Sequence, residues 1–366
     1  RQPQLPQQPD VWIQITVPNE FQPIGKYNIG ITAGIETTLP SGAFIEGLNR
    51  MNLNIVTSNH VKKVFEGANY SKKFEDGRQE PLKNEKPIEV CFWGADTNVY
   101  KKTDEKVDSI EKVMEKIPEK FAFLFVGQWT HQSIYNDRKD IGNLIKTFSN
   151  AFKDKSPETR PCLILKTSGV NFSTVDRDSI LSRIKQIQSE IDGICPNVYL
   201  LHGELHATEM NALFNHEKVK VHLSFTHGEG FGHPLLLATL SGKPLLSSNW
   251  SGHLDFLNPK YTSFFEGSIK QIHPESSNDW LIKESSWFYV AYGLAEDKMK
   301  RYYHSLEKSF IEKAEQLRLE NMEKFSLQSM DKKLWSILDS YVPEFAVEKK
   351  IVLPKLKKIE LPKLNK

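Results

Sequence analysis

The chain has 366 residues, of which 39% are hydrophobic and 26% are charged, with 20 Gly and 19 Pro. This composition is ordinary for a globular protein and excludes a disordered chain, a collagen and a disulfide scaffold, while the length favours two domains. The 48 basic and 46 acidic residues leave a net charge of +2, so no global field would recruit nucleic acid or an anionic membrane.

The first hundred residues predict strands that alternate with helical or loop segments. After an extended Pro- and Gln-rich start at 1–9, a run of β-branched and aromatic residues predicts a buried strand at 11–17, which Pro18 ends. Further strands are predicted at 27–33, 53–58 and 88–94. Because strands alternating with helices form parallel sheets, this part is predicted to be an α/β domain.

A charged stretch at 96–120 separates this part from a second set of apolar strands. The set predicts a doubly wound sheet, because helices are predicted between its strands at 141–152, 177–191 and 207–214. Ligands bind such sheets at the carboxyl ends of the strands, so the loops after Val126, Thr167, Leu201 and Phe225 are the places to look. The five predicted strands are 121–127, 161–167, 197–203, 219–225 and 243–249.

The end of the chain differs in character from the rest. Long charged helices are predicted from 287 to 341, and the residues at 351–358 and 359–366 then repeat one another. Residues 349–366 carry seven lysines and one glutamate. This composition predicts a solvated tail; the alternatives are a docking segment for an acidic partner or an edge strand.

Cysteine usage and hydropathy bear on the compartment. Cys91, Cys162 and Cys195 are odd in number and lie in apolar contexts, which indicates reduced core residues of an intracellular protein. No apolar run reaches the ~18 residues of a membrane helix, and the sequence given shows no charged-then-apolar pattern of the kind expected for a secretory leader. We therefore expect a soluble, cytoplasmic protein.

The most informative segment is a glycine-rich loop between a strand and a short helix. The predicted strand ends at Phe225, and Pro234 opens a helix that ends before Gly242. Three glycines in the loop, Gly228, Gly230 and Gly232, allow backbone N–H groups to approach a ligand closely. With the helix N-terminus behind them, these groups predict a phosphate site.

Glu229 lies within this loop, where a carboxylate is unfavourable beside a phosphate unless it binds hydroxyl groups. A sugar is the obvious ligand of that kind. The structural alternative is that Glu229 caps the helix through free N–H groups. The neighbouring His227 and His233 would orient Glu229 and reach a phosphate, respectively; the alternative is that both are simply exposed loop residues.

This segment resembles the donor-binding motif of the retaining GT-B glycosyltransferases of the glycogen synthase and sucrose synthase-like group (glycosyltransferase group 1). That motif has a Glu, Gly-Phe-Gly, Pro-Leu-Leu and a second Glu eight residues after the first. The first Glu corresponds to Glu229, whereas Leu237 occupies the position of the second. The other matching residues are Gly230, Phe231, Gly232, Pro234, Leu235 and Leu236.

The resemblance extends over most of 10–341. Residues 94–97 resemble the interdomain linker of the family, 125–127 the end of the first donor-domain strand, and 202–204 the loop beside the nucleotide base. Arg138 and Lys139 fall where the family places a lysine on the donor diphosphate; the alternative is a solvated helix start. Asp255 lies in a loop where members commonly carry an acid, although we expect it to cap the following short helix.

The resemblance implies the GT-B architecture, two doubly wound Rossmann-type domains facing across a cleft. The implied domains are 1–98 on the acceptor side, 99–322 on the donor side, a helix at 323–343 that crosses back to the first domain, and the tail at 344–366. Since fewer than a hundred residues precede the linker, the first domain is expected to lack its first strand and helix.

The resemblance also implies a reaction: transfer of a sugar from a nucleotide-diphosphate sugar to an unknown glycan, lipid or protein acceptor, with retention of configuration. Glu229, Lys139 and Arg138 would be the catalytic residues, and neither a metal nor a cofactor would be needed. Negative charge grows on the leaving phosphate, and stabilising it is the main task. The implied donor-binding residues are Gly127, Lys166, His202, Gly203, His227, Gly228, Gly230, Phe231, Gly232, Leu236 and Leu237.

Two departures from the family pattern favour an alternative function. Leu237 removes the carboxylate that grips the ribose hydroxyls in the family, and Gln128 stands where many members have a basic residue. A catalytically inactive binding or structural protein of the same fold is therefore the second hypothesis.

Overall fold

The computed structural model of the protein describes residues 7–130, 133–156 and 158–345. The Lys-rich repeat at 349–366, and with it the predicted docking segment, lies outside these residues. The described residues form two parallel sheets with their helices, called here the first and the second unit.

The first unit is built on a parallel sheet with the order β1-β2-β3-β6. These strands lie side by side in the order in which they occur in the chain. Within the described residues, double winding is therefore confined to the second unit. An antiparallel hairpin of β4 and β5 is an addition that the sequence did not predict. The elements are β1 (Val11–Ile15), β2 (Tyr27–Thr32), α1 (Gly42–Asn49), β3 (Leu53–Val56), α2 (Asn59–Gly67), β4 (Asn69–Lys73), β5 (Gln79–Lys83) and β6 (Ile88–Val90).

The prediction that β1 is a buried strand is wrong. It lies at the edge of the sheet, where Ile13 is 47% and Ile15 is 75% exposed. Its β-branched residues satisfy the strand geometry, but burial depends on what covers the sheet, which a strand's own residues do not specify.

The second unit carries a six-stranded parallel sheet with the order β12-β11-β10-β7-β8-β9. This confirms the predicted double winding and adds β12 to the five predicted strands. Its elements are α3 (Asp108–Met114), β7 (Ala122–Val126), α4 (Ile141–Phe152), β8 (Cys162–Lys166), α5 (Thr174–Ser189), β9 (Val198–Leu201), α6 (Ala207–Asn215), β10 (Val219–Leu223), α7 (His233–Thr239), β11 (Leu245–Ser248), β12 (Ser263–Phe265), β13 (Gly267–Gln271), β14 (Ser286–Val290), α8 (Tyr292–His304), α9 (Lys308–Lys324) and α10 (Leu327–Tyr341).

Helices cover both faces of the second sheet. One face packs against α4, α5 and α8, and the other against α3, α6, α7 and α9, each through a continuous apolar cluster. The order of strands reverses between β7 and β10, so the chain leaves these neighbouring strands in opposite directions and opens a crevice at their carboxyl ends. Any ligand site of this sheet is expected there.

The last helix, α10, packs on the first sheet rather than the second. Its Ile337 lies in a buried cluster with Ile29, Leu53 and Ile55, and Ala95 bridges to Ser326 just before the helix. The opposite face of the first sheet packs on α1 and α2. The two units are therefore tied together at 94–95 and again by α10.

The three cysteines are free thiols, with Cys162 buried and Cys91 and Cys195 half-buried. Among the described residues, none of the helices is both long and apolar enough to cross a bilayer.

Candidate donor site between the two sheets

A cavity of about 430 Å³ lies at the crevice between β7 and β10. Its walls come from both units, because the loops after β2 and β6 of the first sheet face the loops after β7 and β10 of the second. The first unit contributes Ala33, Glu36 and Trp93. The second contributes Gly127, Gln128, Thr130, Asp137, Arg138, Lys139 and the segment from Glu229 to Pro234.

Four charged side chains form one network on the wall of this cavity. Lys139 Nζ lies 2.5 Å from Glu229 Oε1, and Arg138 Nη1 lies 3.2 Å from Glu229 Oε2. Arg138 also approaches Glu36 of the first unit, with Nε 3.4 Å from Oε1. The network thus joins the two units and brings together all three residues predicted to be catalytic.

The network keeps Glu229 ionised although its side chain is only 7% exposed. Burial alone raises the pKa of a carboxyl, but Lys139 and Arg138 outweigh it and lower the pKa of Glu229 to about 2. The two positive and two negative side chains of the network balance one another.

The basic pair is held in place by two buried carboxyl groups on either side of it. Asp137 accepts hydrogen bonds from the backbone N–H groups of Lys139 (3.0 Å) and Ile141 (3.2 Å). Asp140 adopts a left-handed conformation with φ 55° and accepts from the Tyr292 hydroxyl at 2.7 Å. Burial raises the pKa of both Asp137 and Asp140 to about 7.

The glycines of the loop make room for the first unit as well as for a ligand. A Cβ on Gly228 would lie 2.2 Å from the Glu36 carbonyl oxygen, and one on Gly230 would lie 2.4 Å from that of Ala33. Gly232 has φ +92°, which L side chains rarely adopt. The glycines therefore also allow the first unit to approach this loop closely. The sequence predicted only that they would allow close approach of a ligand.

The last part of the loop is the part that faces the cavity. Phe231, Gly232 and His233 line it, and their backbone N–H groups have no acceptor among the described residues. Such donors at the start of a helix satisfy anionic oxygens well. These amides and Lys139 line the same cavity, so both are available to an anion there.

Glu229 is fixed from behind by the loop after β11. Its N–H donates to Ser251 Oγ at 2.8 Å, and its carbonyl accepts from the Gly252 N–H at 2.9 Å. The alternative that Glu229 caps α7 has no support from these contacts, since its carboxylate binds Lys139 and Arg138.

His227 does not face the cavity. It is 1% exposed, stacks on Trp287 at a ring distance of 4.6 Å and approaches the Phe288 carbonyl with Nδ1 at 2.6 Å. The backbone N–H of His227 donates to the Arg138 carbonyl at 2.8 Å. The alternative of an exposed loop residue is wrong for His227, which holds the backbone of the basic pair; His233 is half-buried and lines the cavity.

The other predicted donor-binding residues fall into two groups. Lys166, His202 and Gly203 form a separate cluster, in which Lys166 Nζ donates to the Gly203 carbonyl at 2.5 Å and His202 Nε2 lies 2.8 Å from Asp176. Leu236 and Leu237 lie in the apolar core, 0% and 8% exposed. Leu237 thus makes apolar contacts in the core at the position where the glycosyltransferase motif that this segment resembles has a carboxylate.

The sequence missed the contribution of the first unit. Glu36 and Trp93 gave no signal beyond following β2 and β6 at the carboxyl edge of their sheet. The prediction for Asp255 is also wrong: it does not cap the following helix but accepts from the N–H and Nδ2 of Asn59, both at 2.8 Å, at the start of α2. Asn59 and Asp255 are 196 residues apart in the chain, so no local pattern indicates their contact.

Sucrose-phosphate synthase from Thermosynechococcus elongatus has a similar structure, with a TM-score of 0.58 and 10% identity over 86% of this chain and 67% of that one. HepE from Anabaena in complex with UDP and glucose matches with a TM-score of 0.54 and 14% identity over 86% of this chain and 72% of that one. A glycosyltransferase from Rickettsia africae matches with a TM-score of 0.56 and 15% identity over 86% of this chain and 70% of that one. Neither a protein-family model nor a curated protein sequence matches the chain. At these identities the likeness defines the fold: the chain has the GT-B fold of nucleotide-sugar glycosyltransferases, as predicted.

Proposed function

We propose that this protein is a glycosyltransferase that takes a sugar from a nucleotide-diphosphate sugar. The observation that carries the proposal is the placement of Glu229, Lys139 and Arg138 in one cavity, which the backbone N–H groups of residues 231–233, unpaired within the described part of the chain, also line. The cavity opens at the strand reversal of a doubly wound sheet, which is where such sheets bind nucleotides.

The charge network supports donor binding by an exchange of partners. When a diphosphate enters, Lys139 and Arg138 donate to its oxygens and lose part of their contact with Glu229. The Glu229 carboxylate then accepts hydrogen bonds from the hydroxyls of the attached sugar. Lys139 and the amides at 231–233 stabilise the negative charge that grows on the departing phosphate.

We further propose that transfer proceeds with retention of configuration, without a metal and without a protein nucleophile. The bond between the anomeric carbon and the diphosphate oxygen breaks, the acceptor oxygen bonds to the same face of that carbon, and the acceptor proton passes to the departing phosphate. The basic pair supplies the charge stabilisation that a metal would otherwise give. The cytoplasm as the site of action belongs to the same proposal.

HepE has been solved with UDP and with UDP-glucose, so UDP-glucose is the first donor to test. The protein is incubated with UDP-, GDP-, ADP- and CDP-linked sugars, and released nucleotide is measured. We expect release with at least one donor and loss of release in Glu229→Ala and Lys139→Met. Lys146→Met on α4, which removes the ion pair of Lys146 with Glu190 at the end of α5, is the matched control and should keep full activity.

The second candidate is a catalytically inactive binding or structural protein of this fold. Leu237 in the core and the self-balanced charges of the cavity favour it. Calorimetry distinguishes the two: absence of binding for UDP, GDP, ADP and CDP at millimolar concentration would support the inactive protein and contradict the transferase.

A further inference from the structure

A second cavity of about 610 Å³ adjoins the charged one on the side of the first sheet. It lies at the carboxyl ends of β2, β3 and β6 and is closed on one side by the beginning of α10. Its lining is mainly apolar and includes Ile31, Ile55, Phe92, Met330, Leu327 and Leu334.

The two cavities share a wall. Trp93 and His233 line both of them, with ring centroids 6.0 Å apart. His233 Nε2 lies 3.4 Å from the Gly94 carbonyl, which also lines the apolar cavity. A molecule that spans this wall would place one end beside the charged network and the other among apolar side chains.

The apolar cavity is unsuited to a sugar. Asp331 is the one carboxylate among its described lining residues, so most hydroxyls of a sugar would lose water there without gaining a partner. Leu327 is 53% and Trp93 is 47% exposed at its rim. These exposed apolar surfaces favour an apolar occupant, because covering them removes them from water.

We infer that the acceptor is an amphiphilic alcohol whose apolar part occupies this cavity and whose hydroxyl reaches the wall at His233. The transfer step rests on the proposed function: the hydroxyl oxygen bonds to the anomeric carbon, the carbon–oxygen bond to the diphosphate breaks, and the hydroxyl proton passes to the departing phosphate. Binding of the apolar part does not depend on that step.

Binding is tested with the full chain and octyl β-D-glucoside below its micelle concentration, followed by tryptophan fluorescence and calorimetry. Methyl β-D-glucoside has the same head group without the apolar chain and is the ligand control. We expect the octyl compound to bind and the methyl compound to bind at least tenfold more weakly. Equal binding of the two would overturn the inference, since recognition would then lie in the sugar.

The variant Leu327→Asp places a charge at the rim of the cavity in the first turn of α10. A carboxylate suits the helix dipole there, so we expect the fold to be retained. We expect at least tenfold weaker binding of the octyl compound. Leu319→Asp, at a similarly exposed leucine of α9 outside both cavities, should bind like the unmodified protein. Leu334→Gln tests the same wall independently, and unchanged binding in both wall variants would overturn the inference.

Two further outcomes are distinguishable. If the apolar cavity is instead the contact face of a second copy, light scattering would show a dimer that Leu327→Asp dissociates, and the inference would fail. If octyl glucoside binds as expected but no nucleotide sugar is ever consumed, the cavity assignment stands while the proposed function fails. Nucleotide release that an amphiphilic alcohol stimulates, and that is lost in Leu327→Asp, would support both the proposed function and the cavity assignment.

Discussion

The two units contribute to the donor cavity in different ways. The second unit supplies Arg138, Lys139 and Glu229, and its sheet is covered by helices on both faces. The first unit supplies Glu36, Trp93 and the carbonyls that meet the glycine loop, and its edge strand is exposed. The difference shows that three of the four charged residues of the network belong to the second unit, whereas the apolar cavity lies on the sheet of the first unit.

The largest effect on stability is expected when Lys139, which pairs with Glu229 in the second unit, loses its charge. Lys139→Met leaves Glu229 buried with Arg138 alone, and we expect the free energy of unfolding to fall by about 3 kcal/mol, the lower end for breaking a buried pair. Urea denaturation measures it. Adding Glu229→Gln should restore most of the loss, because the uncompensated charge is gone; a double variant no more stable than Lys139→Met would contradict the network.

The packing between the units is tested at the glycine loop. In Gly230→Ala the new Cβ would lie 2.4 Å from the Ala33 carbonyl oxygen, and we expect a loss of about 2 kcal/mol together with a more open arrangement of the units. Denaturation and small-angle X-ray scattering measure the two effects. Gly67→Ala, where a Cβ meets nothing within 4 Å, is the control; equal effects of the two substitutions would refute the role of close approach.

Asp140, the buried carboxyl group beside Arg138 and Lys139, predicts that the stability of the protein depends on pH. Asp140 has a pKa raised to about 7 by burial, so the folded state keeps a proton that the unfolded state releases near pH 4. Stability from this group is therefore full below pH 4 and falls as pH rises to 7, by about 1.4 kcal/mol per pH unit.

Asp140→Asn should remove the part of the slope that Asp140 contributes and leave that of Asp137, whose pKa is also raised to about 7. Asn is the suitable replacement because it tolerates the left-handed conformation of the residue. Denaturation between pH 4 and 8 measures it, with the exposed Asp178→Asn as control. Glu229 acts in the opposite direction, because its pKa is lowered to about 2 and its stabilising effect is lost only as pH falls below 4.5. A slope in Asp140→Asn as steep as in the unmodified protein would show that Asp140 does not contribute to it.

The smallest effect is expected at the contact between Asp255 and the start of α2. Asp255→Ala removes the acceptor for two hydrogen bonds of Asn59, and we expect a loss of about 1 kcal/mol, as for a helix cap. Thermal unfolding measures it. An Asn59→Ala variant that loses as much, with no further loss in the double variant, would identify the pair as the source.

The sequence alone predicted five of the six strands of the second sheet and the glycine-rich loop that lines the candidate cavity. Its strands are short apolar runs bounded by turns, its glycine loop lies between strand and helix, and Glu229 stands within ten residues of both. These are local patterns, and local patterns predict elements because hydrophobic spacing and turn chemistry act over a few residues. The hairpin of β13 and β14 escaped prediction because its first strand is exposed throughout.

Only the tertiary structure decided which residues meet across the units. Glu36 reaches Arg138, Asp255 reaches Asn59, and Trp93 meets His233 through separations of about a hundred residues or more. It also decided that Gly228 and Gly230 accommodate the carbonyls of the first unit and that Leu237 lies in the core. The physical reason is that burial and pairing depend on what packs against a residue, and that partner is set by the path of the whole chain rather than by its neighbours in sequence.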